Sequence, residues 1–241
     1  MEKIAKFQII ISCAIIALAL IVSSLIFSSK ITKNENITVT GSAYKIVKSD
    51  SAKLSFSIRT RKITQKDAFL FLKKQVPEVE KYLLAKGIKK ENIDIKSVNG
   101  HNVYRQNDKG YSTNEIIAYE ASQFIEIKSD DVLKIKEIST DIQNLINNGI
   151  YVEVYSPEYF YSDLASIKIE LLKEASKDAK QRAESMLEAT NARVGKVASM
   201  RMGVFQITPA DSNMVSDMGI NDTSSIDKKV TAVANVVFKV K

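Results

Sequence analysis

Residues Gln8 to Ser29 carry no charge, and their centre, IIISCAIIALALIVSSLIF, is built from branched aliphatics, Ala and Ser. As a helix these 22 residues reach about 33 Å, against a hydrocarbon core of roughly 30 Å. The pattern predicts a transmembrane helix over 8–29, with Ile9, Ile16, Leu20 and Phe27 in lipid, a short cytoplasmic tail over 1–7 and a polar linker over 30–36. Ala17-Leu18-Ala19 has the letters of a signal-peptidase site, but apolar sequence continues to Phe27, which favours an uncleaved anchor. Cleavage near Ser23-Ser24 or Ser28-Ser29 stays open as the alternative. Lys3 and Lys6 before the segment balance Lys30 and Lys33 after it, so flanking charge does not set the orientation. The short leading tail and the long remainder favour export of residues 37–241 to the periplasm, from a single pass in the inner membrane or secreted after cleavage.

Beyond the linker the period of the pattern changes repeatedly. Ile37, Val39 and Gly41, then Leu54, Phe56 and Ile58, alternate with polar residues about a Lys48-Ser49-Asp50-Ser51 turn, which predicts a first hairpin. Ala68, Leu72, Val76, Val79 and Leu83 follow at helical spacing. Thr64 with Asp67 reads as a capping box, Gly87 as a left-handed end, and Pro77 predicts a kink near Lys73 to Pro77. A second hairpin joins 93–105 to 117–127. A helix from Asp130 or Asp131 places Ile135, Ile138, Ile142 and Leu145 on one stripe and ends at Asn147-Asn148-Gly149. After a strand at 151–155, the longest helix runs over 162–190 with Leu164, Leu171, Ala175, Ala179, Ala183 and Leu187 inward. Strands at 194–207 and 229–240, divided by a long polar segment expected to be mobile, close the chain. The order is ββαββ-αβαββ, an α+β class with antiparallel sheets and packed helices, preceded by the transmembrane helix.

Along 37–240 these elements carry a pattern that resembles the SIMPL-domain family of bacterial envelope proteins. ITVTGSA at 37–43 is similar to the family's opening strand, GIKKENIDI at 87–95 to its turn into an Asp-Ile strand, and YEA at 119–121 to its Tyr-x-Ala strand. ASKDAKQRAESM at 175–186 resembles its A-x-x-DA-x-x-RAE helix, and RVGKV at 193–197 follows it. Ser49-Asp50 replaces a common Pro-Asp, and Thr190-Asn191 a common Ala-Gly. The resemblance implies an exported domain, often an oligomer, at times ring-like or channel-like, with no catalytic residues to carry over. Asp178 and Arg182 have the spacing of a helix-surface ion pair, and a structural role is expected for them and for Glu184.

Composition narrows the chemistry. One cysteine, Cys13, excludes an intramolecular disulfide and a cysteine-based metal cluster, and one histidine, His101, excludes a two-imidazole site. The formal charge of +7 is spread along the chain, so no nucleic-acid partner is indicated. His101, in a polar hairpin segment, reads as an exposed loop residue. Asp211, Asn213, Asp217, Asn221, Asp222 and Asp227 offer oxygens without the spacing of a calcium loop. Met200, Met202, Met214 and Met218 would suit monovalent copper, although the strand pair reads more simply as core filling. The aromatic segment with Tyr155, Tyr159, Phe160 and Tyr161 is the candidate subunit contact. The expectation is a non-enzymatic, self-assembling envelope protein that supports envelope integrity or stress tolerance. It has the lipid bilayer and copies of itself as partners, and neither cofactor, metal nor small-molecule substrate. A periplasmic hydrolase or copper-handling protein is the alternative.

Overall fold

A computed structural model describes residues 15–24 and 35–241. Helix α1 (15–24) contains Ile16 and Leu20, both exposed. The rest of the expected spanning segment, with Ile9 and Phe27, lies outside the described residues, as do the tail 1–7 and most of the linker. Among the described residues no helix is long and apolar enough to cross a membrane.

The chain divides into a larger unit, Ala43–Lys173 with Val204–Ala232, and a smaller one, Met1–Ser42 with Glu174–Gly203 and Val233–Lys241. The structure is α+β, and among the described residues ten strands form two sheets. In the larger unit, β2 (Ser51–Lys62) runs antiparallel to β4 (Ser112–Ser129) on one side and to β5 (Tyr151–Val154) and β6 (Glu158–Phe160) on the other; β3 (Ile93–Gln106) pairs β4. One face is covered by α2 (Gln65–Ala85) and α3 (Val132–Asp141), whose Leu72, Val79, Leu83, Ile135 and Ile138 are buried against Leu54, Phe56, Ile58, Ile125 and Ile127.

The helix ends follow the sequence. The Thr64 hydroxyl accepts the Asp67 N–H at 3.1 Å, and Asp131 accepts that of Lys134 at 3.0 Å. Gly87 and Gly149 take φ of 83° and 76°, and Asn191 takes 57°, the left-handed geometry that Asn tolerates. Helix α2 runs unbroken through Pro77.

Strand pairing departs from the sequence in two places. The expected first hairpin does not form, because β1 (Asn36–Lys48) pairs β10 (Asp227–Val240) in the other sheet. Both flanks of β2 are already taken, by β4 and by β5 and β6. The turn therefore hands the chain from one sheet to the other, with the Asp50 carboxylate accepting the Ser162 N–H at 3.0 Å and its hydroxyl at 2.6 Å. The expected strand 194–207 is two strands, β7 (Val194–Met202) and β8 (Gln206–Pro209). They part at Gly203, whose N–H donates to the Val233 carbonyl at 2.9 Å. The late polar segment is also tied down: β9 (Ile220–Asn221) lies parallel to β8, and the Gln206 amide donates to the Ser216 carbonyl at 2.7 Å.

In the smaller unit β10 pairs β7 from Ala234↔Met202 to Val240↔Val194, and the Val240 N–H donates to the Glu35 carbonyl at 2.8 Å, beside the start of β1. The later turns of α4 (Leu164–Glu188) present Ala175, Ala179 and Ala183, all fully buried.

Candidate functional site

The motif residues of the opening strand and of the long helix meet in the smaller unit. Alanine at four-residue steps leaves α4 without bulk on its inner face, so a strand backbone can lie directly on it. Gly41 does so. A Cβ at this position would fall 2.1 Å from the Ala175 carbonyl oxygen and 2.3 Å from the Ala179 nitrogen, so any side chain there requires backbone to move. The next residue is clamped as well: the Ser42 N–H donates to Asp178 Oδ2 at 2.8 Å, and Arg182 Nε donates to the same oxygen at 2.8 Å. Glu184 pairs with Lys180 at 3.5 Å.

Beside this clamp lies an open groove of about 670 Å³, walled by Thr38, Thr40, Gln181, Arg182, Ser185 and Met186. Its lining has hydroxyls, an amide and a guanidinium but neither thiol nor imidazole, and the carboxylate that borders it already accepts two donors. The arrangement holds strand to helix and offers hydrogen bonds.

His101 is not in a loop. It sits on β3 opposite Glu120, with Nε2 3.5 Å from that carboxylate, whose other oxygen accepts Arg61 Nη2 at 2.9 Å. Asp222, a candidate calcium ligand, is occupied internally. It accepts the Ser224 N–H at 3.0 Å, the Ser224 hydroxyl at 2.6 Å, the Ser225 N–H at 3.2 Å and the Ser225 hydroxyl, and it faces Lys228 Nζ at 3.3 Å. Burial opposes its charge, but the Ser224 and Ser225 hydrogen bonds outweigh burial and hold the carboxyl well below the usual range. Burial, with the side chain 3% exposed, pulls the Lys228 ammonium down from its ordinary value. Among the described residues no group of three or more His, Cys, Asp or Glu could hold a metal ion.

The methionines do not fill a core. Met200 and Met202 lie half exposed on β7, Met200 Sδ 3.7 Å from the Ser176 hydroxyl, and Met214 and Met218 are exposed in the late segment.

The aromatic segment is divided. Tyr159 is only 6% exposed, part of the core, and its N–H donates to the Thr223 carbonyl at 2.7 Å. Tyr155 is exposed and lies 5.6 Å from the Phe124 ring; Phe160 is partly exposed beneath Lys53 at 6.0 Å; Tyr161 is half-buried.

A surface that the sequence reading passed over lies at the far end of the β3–β4 hairpin. Strand β4 pairs β2 only from Tyr119 onward, whereas β3 and β4 stay paired out to Gln106↔Ser112. The hairpin tip is thus a two-stranded ribbon beyond the edge of β2. It is closed by an Asn107 turn and the Arg105–Glu115 ion pair at 2.6 Å. Ile116 (41% exposed) pairs Tyr104, Ile117 (45%) is the extra residue of a bulge between the Val103↔Ala118 and Tyr104↔Ile116 pairs, and Tyr104 and Tyr111 are exposed too. The signal was present in the sequence: an Ile-Ile pair breaks the alternation of an otherwise polar hairpin.

The family model SIMPL, described as a protein of unknown function (DUF541), matches residues 37–238. No curated protein matches the chain.

Proposed function

The chain belongs to the SIMPL family, and from that premise we propose that it is a non-enzymatic, membrane-anchored envelope protein that assembles with copies of itself. The observation that carries the reading is the bare hairpin ribbon. An isolated two-stranded ribbon is marginal in water, and its exposed Tyr104, Tyr111, Ile116 and Ile117 gain stability when a partner covers them. Tyr155 and Phe160 add exposed aromatic area of the kind favoured in interfaces. The uncharged run 8–29 supports a single-pass anchor in the inner membrane, with residues 37–241 in the periplasm and a part in envelope integrity or stress tolerance. The non-enzymatic reading is supported by the motif residues themselves: Gly41 and Asp178 are used in holding strand to helix.

The test is the mass of the intact chain extracted from membranes in mild detergent. The reading expects one uniform species at a fixed multiple of 26.9 kDa. A 26.9 kDa monomer at every concentration, or an intact chain recovered without detergent from the cell interior, would overturn it.

A further inference from the structure

Three strand ends of the smaller unit converge where the chain arrives from the apolar run. The Val240 N–H donates to the Glu35 carbonyl at 2.8 Å, and Arg193 and Lys241 exchange two backbone hydrogen bonds, 2.9 and 2.8 Å long. Lys196 and Lys239 follow within the first few residues, between the Val194↔Val240 and Val197↔Phe238 pairs. Arg193, Lys196 and Lys239 are exposed, and among the described residues no ion pair engages them, unlike Lys45, Lys53 and Lys86, each of which meets a carboxylate. Within the three strand ends, 35–37, 193–196 and 238–241, Glu35 is the one carboxylate side chain against Arg193, Lys196, Lys239 and Lys241, so cations are in excess.

Six residues, 30–35, separate this end from the last residue of the uncharged run. Fully extended they span about 20 Å. The headgroup layer occupies roughly 5–8 Å beyond the hydrocarbon, and charge acts across about 8 Å at physiological salt. With the run in lipid, this end of the unit can therefore reach the headgroups.

We propose that the strand ends bearing Arg193, Lys196 and Lys239 form a docking surface for the headgroups of anionic phospholipids in the bilayer that holds the anchor. The proposal rests on the anchor reading. It adds to that reading a preferred lipid and a fixed orientation, since contact at this end holds the smaller unit against the membrane surface. Each basic side chain near an anionic leaflet gains a factor of roughly five in local preference.

The test uses the intact chain reconstituted into neutral phosphatidylcholine vesicles and into vesicles containing phosphatidylglycerol. Acetylation of individual lysines is read by mass spectrometry. Lys196 and Lys239 are expected to react roughly fivefold more slowly on the anionic vesicles, with the difference lost in high salt. Inorganic phosphate added to neutral vesicles should protect neither lysine, and protection there would overturn a lipid as the source. Equal rates on both vesicle types, with the chain retained on both, would overturn the docking surface and leave the anchor standing. Release of the chain from neutral vesicles would instead overturn the anchor, and the proposal with it. The variant Arg193→Glu/Lys196→Glu stays anchored and should lose the protection of Lys239.

Discussion

The two units bury their helices in opposite ways. In the larger, α2 and α3 set leucine, valine and isoleucine against Leu54, Phe56 and Ile58, so contact is made through side-chain bulk. In the smaller, α4 sets alanines against Gly41, and backbone meets backbone. A bulk contact gives way gradually, because neighbours relax around a lost methylene. A backbone contact has no such slack. Gly41 and Asp178, which lie in two of the segments that resemble the family's, therefore sit where geometry is least forgiving.

The largest effect should come from Gly41→Ala. Adding one carbon there forces strand and helix apart, and a loss of about 4 kcal/mol or more is expected in urea titration; a loss below about 1 kcal/mol would show that the close approach is not a constraint. In the larger unit the corresponding weak point is the buried pair rather than a glycine. Asp222→Ala strands the Lys228 ammonium in the interior and should cost about 3–5 kcal/mol, whereas Asp222→Asn with Lys228→Met should recover most of it. Because the folded chain holds Asp222 below the usual carboxylate range, the unfolded chain binds that proton first as pH falls. Its contribution is full above about pH 4 and declines below. Thermal unfolding from pH 7 to pH 2, beside Asp222→Asn, would show the two chains converging in acid.

Leu72→Ala leaves a cavity costing about 2–5 kcal/mol, but Leu72→Met should cost under about 1.5 kcal/mol, a tolerance that position 41 lacks for any substitution. Asp178→Asn weakens the clamp on Ser42 and should cost about 1–2 kcal/mol, read by thermal unfolding. If it matched Gly41→Ala, the charge rather than the close approach would hold the smaller unit.

Much of this was legible locally. Thr64, Asp131, Gly87 and the alanine stripe of α4 announce helix ends and faces because capping and period act within a few residues. What the sequence hid was pairing between distant residues. The turn at Ser49-Asp50 reads as a hairpin, yet β2 has both flanks filled by strands that arrive later, so β1 pairs elsewhere. Asp178 reads as half of a helix-surface pair with Arg182, and that pair exists. Its second donor, the Ser42 amide, comes from 136 residues away and leaves no local trace. The hairpin tip could have been found from Ile116-Ile117, but only knowledge of where β2 ends shows that the ribbon runs past its neighbour with these side chains exposed.

The smallest effect on stability should come from that tip, where Ile116→Lys with Ile117→Glu alters exposed side chains outside the core and should change unfolding by about 0.5 kcal/mol or less. The same variant tests self-assembly most directly, through the mass of the intact chain in detergent. The account predicts a folded species of 26.9 kDa where the unaltered chain gives a uniform multiple. A variant that keeps the unaltered chain's assembled mass would contradict it.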